Sequence, residues 1–156
     1  MQGKIYSIYI SESPDKAMQS VSSASLVTGK GIEGDRYFTG KGTFSEKLAG
    51  KPSFQVTLIE KEEIDKFNRE QGQQQGDGDF RRNIVTTDIR LNDLVDKEFT
   101  IGSVKLKGIR LCEPCDYLAK TVNALVLPHL VGRGGLRAQI LSSGTVSCGD
   151  MIKTGS

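Results

Sequence analysis

The chain has 156 residues, with 21 Lys and Arg against 19 Asp and Glu and a formal charge of +2. The length fits one domain over residues 1–156, and the near-neutral balance speaks against a nucleic-acid or membrane-surface role, which needs a concentrated basic face. No segment approaches the roughly 20 apolar residues that span a bilayer, Met1-Gln2-Gly3-Lys4-Ile5-Tyr6 has no apolar signal region, and the three cysteines make an odd set, so a cytoplasmic protein is expected.

Eighteen glycines against four prolines imply many tight turns between short elements, a β-rich pattern. In chain order, Ile5 to Ile10 reads as a strand, and Gly31-Ile32-Glu33-Gly34-Asp35-Arg36-Tyr37 as a glycine-containing turn. Phe54 to Ile59 is a strand. Glu60 to Glu70 is an amphipathic helix with Ile64 and Phe67 inward and its charges in solvent. Gly72 to Asp79 reads as a flexible polar loop, whose Asp77 and Asp79 do not match an EF-hand. Phe80-Arg81-Arg82 leads into a strand from Asn83 to Thr87, where neighbours face opposite sides, so one arginine would enter a pocket and the other stay in solvent. Phe99 to Ile101 and Val104 to Leu111 form strands joined through a Gly102-Ser103 hairpin turn. Later strands are Leu136 to Leu141 and a short pair within Thr145 to Lys153, broken at Gly149-Asp150.

The segment most charged with chemistry is Leu111-Cys112-Glu113-Pro114-Cys115-Asp116. Leu118, Val122, Leu125 and Val126 behind it line one face of a helix. Cys115 would lie in or beside its first turn, where unpaired N–H groups and the helix dipole stabilise a thiolate. Two plainer readings stand beside this one. The pair could be half of a zinc site, though only Cys148 and His129 remain as further ligands, without a second close pair. Both cysteines could also be small buried apolar residues. A thioredoxin-type dithiol would need a βαβ setting, which the pattern does not supply. His129 follows Pro128 where the helix should end, a sufficient structural reason for a cation, and Cys148 reads as core.

Three separated segments share another chemistry. They are Gly31 to Tyr37, Phe80 to Ile84, and Gly132-Arg133-Gly134-Gly135-Leu136-Arg137. Glycine turns backbone N–H groups outward and guanidinium pairs with phosphate, so the three could converge on a phosphorylated ligand. Each alone could equally be a turn or a surface salt bridge, and none is a nucleotide P-loop.

Taken in order, Gly31 to Arg36, Arg81-Arg82-Asn83-Ile84-Val85-Thr86, Leu111 to Cys115, Gly132 to Leu141 and Gly144 to Asp150 resemble the MOSC family, named for the C-terminal part of molybdenum-cofactor sulfurases. The resemblance implies a mostly β protein, an antiparallel barrel with a few peripheral helices. It implies that Cys115 carries sulfur as a persulfide or binds molybdenum, with Cys112 as its resolving or packing partner. It implies that Arg81, Arg82 and Asn83 meet the pterin phosphate of molybdenum cofactor (molybdopterin), that Asp35 and Arg36 shape the same pocket, and that Arg133 and Arg137 add positive potential. Tyr37-Phe38 stands where many members have a histidine, so a base or ligand is missing there. Pyridoxal phosphate is not supported, because no desulfurase domain with its lysine is present. A sulfur acceptor, and a separate cysteine desulfurase or reductase as partner, would complete such a system. The rival readings are a molybdenum-dependent reductase of N-hydroxylated compounds and a non-catalytic module that holds a phosphorylated ligand.

Overall fold

Alternation of apolar and polar residues closes this chain into a barrel. The computed structural model describes residues 2–13, 16–41, 55–72, 74–111 and 134–154. Its strands are β1 (Gln2–Ile10), β2 (Gln19–Val21), β3 (Ser23–Val27), β4 (Gly31–Ile32), β5 (Val56–Glu60), β6 (Ile84–Thr87), β7 (Glu98–Ile101), β8 (Val104–Leu111), β9 (Leu136–Ile140), β10 (Gly144–Ser147) and β11 (Met151–Thr154). Strands pair in the order β11-β7-β8-β9-β5-β6-β1, and β1 returns to β11, so seven strands form a ring with β2 added beside β1. A second sheet, β10-β3-β4, packs Ala24, Leu26, Ile32 and Val146 into the same core. Closure leaves the ring without a free edge.

The inside is filled by every second residue. Val104 and Leu106 of β8, Leu136, Ala138 and Ile140 of β9, and Val56 and Leu58 of β5 are buried in one cluster. In β1 the register shifts between Ile5 and Ser7. That extra residue lets Ile5 and Ile8, three positions apart, both face inward. The expected hairpin is present: Ile101 pairs with Val104 across Gly102-Ser103, with Gly102 at φ 57°.

Every neighbouring pair in the ring is antiparallel except β5 and β6, which run parallel. A parallel pair needs a crossover, and helix α1 (Lys61–Gln71) begins it. Ile64 and Phe67 cover Ile59 of β5 and Val85 of β6, with Phe80 completing a small outer core. The Phe67 and Phe80 rings meet edge to face at 5.6 Å. The polar segment after the helix, expected to be a flexible loop, is fastened where it is described. Asn68 Nδ2 donates to the Gln75 carbonyl (2.9 Å) and Asn68 Oδ1 accepts from the Gln75 N–H (3.0 Å). Lys61 bridges to Asp77 at 2.7 Å. Two further expectations change. The halves of Thr145 to Lys153 do not pair with each other: β10 joins β3, whereas β11 joins β7 and β1. The three short strands β2, β3 and β4 were not expected, since their serine-rich residues gain order from pairing rather than from an apolar pattern of their own.

Glu60 ends β5 and accepts the Leu91 N–H at 3.2 Å. Partial burial raises its pKa above the ordinary carboxylate value, with the Leu91 bond opposing and Glu63 and Glu62 reinforcing the shift. The stability that goes with a raised carboxyl pKa is fully present below the unfolded value and is lost as pH rises through the folded one. Glu60→Gln keeps an acceptor for Leu91 and removes the charge. Its melting temperature should therefore exceed that of the unaltered protein at neutral pH and converge with it below the ordinary carboxylate range. A difference that does not vary with pH in thermal scans would refute this.

Candidate functional site

Asn83 is the residue from which the site is built. It lies just before β6, 4 % exposed, and its side chain joins two other strands. Oδ1 accepts the Thr57 N–H and hydroxyl, both at 3.2 Å, and Nδ2 donates to the Tyr9 carbonyl at 3.1 Å. Its own N–H reaches Thr57 Oγ1 at 3.0 Å and its carbonyl takes the Tyr9 N–H at 2.7 Å. β1, β5 and the start of β6 are thereby locked together.

That lock orients the two preceding arginines. Arg81 is not on a strand: it ends a 3-10 turn (Asp77–Phe80) in the left-handed conformation, φ 60°. Strand alternation therefore does not apply, and both side chains are buried, at 9 % and 8 % exposure, instead of one facing solvent. They leave in different directions. Arg81 donates from Nη1 to the Lys16 carbonyl (2.9 Å) and from Nη2 to the Ser13 carbonyl (3.4 Å). Arg82 donates from Nε to the Gly134 carbonyl (2.9 Å) and from Nη1 to the Phe80 carbonyl (3.4 Å).

Asp35 and Arg36 arrive on the turn after β4. Their 3.0 Å ion pair is buried. A buried pair persists when its remaining polar atoms are satisfied, and here they are engaged. Asp35 Oδ1 also accepts the Ser11 N–H (3.1 Å) and Oδ2 the Tyr37 N–H (3.3 Å), while Arg36 Nη2 donates to the Arg81 carbonyl (3.4 Å). The guanidinium lies 4.9 Å from the centre of the Tyr37 ring. Next to this junction is a cleft of about 510 Å³ lined by Tyr9, Met18, Asp77, Gly78, Asp79 and Arg81.

The third segment closes the arrangement. Gly135 has φ 110°, and a Cβ there would come within 2.0 Å of the Leu58 carbonyl oxygen, so this glycine permits two backbones to approach. Arg137 of β9 is buried, directly across from Thr57 on one side and Arg110 on the other. Antiparallel partners share a face. The contacts therefore run from Asp35 and Arg36 through Arg81, Arg82 and Asn83 to Gly134 and Arg137. Ser11, Thr57 and Arg110 belong to the same arrangement, and isolated Ser, Thr or Arg residues carry no sequence signal of it. Cys112, Cys115, His129 and Arg133 lie outside the described residues. Cys148, expected in the core, is exposed on the turn after β10, with Sγ 3.7 Å from the Val21 carbonyl. Among the described residues no three His, Cys, Asp or Glu side chains gather in a way that could hold a metal, and no helix is long and apolar enough to cross a membrane.

The family model of the MOSC domain matches residues 45–153. The chain belongs to the MOSC domain family. MOSC domains are associated with molybdenum-cofactor binding and sulfurase-like function. Among solved structures, the barrel is similar to the YuaD protein from Bacillus subtilis, with 16% identity over 99% of this chain and 96% of that one and a TM-score of 0.83. It is also similar to YiiM from Geobacillus stearothermophilus, at 14% identity over 99% and 75% of the two chains with a TM-score of 0.75. For YiiM from Escherichia coli the identity is 18%, the coverage 100% and 70%, and the TM-score 0.70. No match is found among curated proteins. The fold of this MOSC domain is thus shared with proteins whose sequences have diverged widely.

Asn83→Ala removes the acceptor of the buried Thr57 N–H and the donor to Tyr9, and should lower stability by about 2–3 kcal/mol in urea denaturation. A loss under about 0.5 kcal/mol, the range of an ordinary surface substitution, would show that Asn83 does not hold these strands.

Proposed function

We propose that this MOSC domain uses the thiolate of Cys115 to hold molybdenum cofactor or to carry sulfur as a persulfide, with the buried arginines receiving the anionic part of the cofactor. The observation that carries this reading is the gathering of buried guanidinium groups around Asn83. Among the described residues, Arg36, Arg81, Arg82 and Arg137 are buried, and Asp35 is the one buried Asp or Glu. Guanidinium groups pair with phosphate oxygens through matched, planar donors. The donor set therefore suits a phosphate, and the family association supplies a phosphate-bearing candidate.

Chain topology supports the same assignment for the thiol. Adjacent antiparallel strands are usually joined by two to five residues, whereas residues 112–135 connect β8 to β9. Connections of that length are commonly functional. Cys115 follows the last residue of β8 by four positions, and Gly134 at the other end of the connection holds Arg82. In this reading Arg82 and Arg137 hold the anionic group, Arg36, Arg81 and Arg133 add positive potential, and Asp35 and Asn83 position them. Cys112 resolves a persulfide on Cys115 or packs beneath it. Bound cofactor would supply a redox-active metal with affinity for soft thiolate.

The test is anaerobic incubation with freshly released molybdenum cofactor, desalting, and assay of retained molybdenum and pterin. Stoichiometric retention is expected, falling at least about tenfold in Cys115→Ser, because the thiolate is the soft ligand. Equal retention by both proteins would remove Cys115 from the site. Retention by neither, together with no sulfane sulfur on Cys115 after exposure to a persulfide donor, would leave the phosphate-binding module as the better reading.

A further inference from the structure

The near-neutral net charge conceals two faces of opposite sign. Lys4, Lys105, Lys107 and Lys153 alternate along β1, β8 and β11 with inward-facing apolar residues or glycine. They therefore stand on the outside of the barrel. Register sets them side by side: Lys153 is across from Thr100 of β7, Thr100 is across from Lys105, and Lys107 is across from Glu98. Arg110, exposed beyond the bulge after Gly108, continues the row along β8. The one carboxylate on these four strands is Glu98, which pairs with Lys105 at 2.9 Å. Lys4, Lys107, Arg110 and Lys153 form no ion pair with any other described residue. Nearby acids lie at the margins, Asp96 before β7 and Asp150 at the turn into β11, where its Oδ2 accepts the Ser147 N–H.

Acidic groups gather on the other side, around α1. Glu62, Glu63, Asp65, Glu70, Asp77 and Asp79 lie there. The lysines among them are neutralised in place, Lys61 by Asp65 and Asp77 and Lys66 by Glu70.

We propose that the outer face of β11, β7 and β8 is a docking surface for an acidic partner protein. Cations set on rigid strands, most of them without an ion-pair partner among the described residues, present a fixed positive potential, which steers and orients a partner of opposite charge. A protein fits better than the other polyanions. The barrel wall is convex, so a flat anionic membrane would meet only part of the row. For a nucleic acid, the chain's pI of about 8.4 is below the range of strongly basic binding domains. The row also runs along β8 toward Cys112 and Cys115.

The experiment maps backbone amide shifts of the full chain on titration with a glutamate-rich peptide, with a DNA duplex and with phosphatidylglycerol vesicles as the other arms. Peptide shifts should concentrate on Lys4, Lys105, Lys107, Arg110 and Lys153 and fade at high salt. The variant Lys105→Gln/Lys107→Gln/Lys153→Gln should weaken peptide binding roughly tenfold or more, and Lys66→Gln/Arg69→Gln on α1 should not. Shifts spread over the surface, or an unchanged affinity in the triple variant, would overturn the proposal. So would tighter binding of the duplex or the vesicles. Molybdenum and pterin retention is measured on the same variant. Its expected constancy separates the two ideas, because lost docking with intact retention sinks only the surface, and lost retention in Cys115→Ser leaves the surface untouched.

Discussion

Everything arranged at the site depends on the polar contacts of Asn83. A β6 held only by its ladder could slide relative to β5, and a slip of one residue would turn each side chain to the opposite face. The amide of Asn83 opposes this by satisfying the Thr57 N–H and hydroxyl and the Tyr9 carbonyl at once. Such a buried network has one geometry in which all its members are satisfied. Once it forms, Arg81 and Arg82 leave the chain in fixed directions, and Arg137 stands across from Thr57. The same contacts seal the barrel beside its one parallel pair, where the crossover through α1 offers no hairpin to set the register.

The backbone around the arginines is shaped for close approach. Gly31, at φ 115°, would place a Cβ 2.7 Å from the Gln55 carbonyl oxygen, and Gly135 would meet the Leu58 carbonyl oxygen. Both glycines let a flanking segment lie against β5 or the residue before it. Arg81 adopts the left-handed region without being glycine, a conformation that costs an L-residue about 1 kcal/mol and is held by its contacts with the Ser13 and Lys16 carbonyls. Conformations of this kind persist where surrounding structure over-determines them, often at functional sites. The glycines of these segments thus act first on strand packing, and the anion-receiving character resides in the side chains they bring together.

How much of this was legible in the sequence follows from the range of each interaction. Val104 to Leu111 was readable to the residue because lysines alternate with apolar positions, and α1 to within one residue at each end because Ile64 and Phe67 sit three apart between charges. β2 to β4 were not readable, since Ser20, Ser23 and Ser25 carry no pattern and their pairing partners are distant in sequence. The arginines of the site were visible as candidates, but their burial was not. Arg81 and Arg82 looked like alternating strand residues, and only a φ of 60° at Arg81 breaks that rule. The segregation of charge is not legible in the sequence for a related reason. Lys105 and Lys107 are separated by Leu106 and thus form no block in sequence, and closure of the ring then brings Lys4 and Lys153 onto neighbouring strands.

The frame and the proposed thiol are separable in physical terms. β8 and β9 pair from Leu106–Ile140 to Leu111–Leu136, and both complete their inner faces with apolar side chains of the main core. Their stability comes from that ladder and core, so the length and content of residues 112–135 enter chiefly through closure entropy, which rises slowly with loop length. A chain built this way can carry reactive residues in the connection while its wall stays rigid. The buried arginines would then serve such a connection twice, since positive potential that attracts a phosphate also favours the ionised form of a nearby thiol. On that argument, a phosphate or a thiolate held by the connection would share the positive field of the frame.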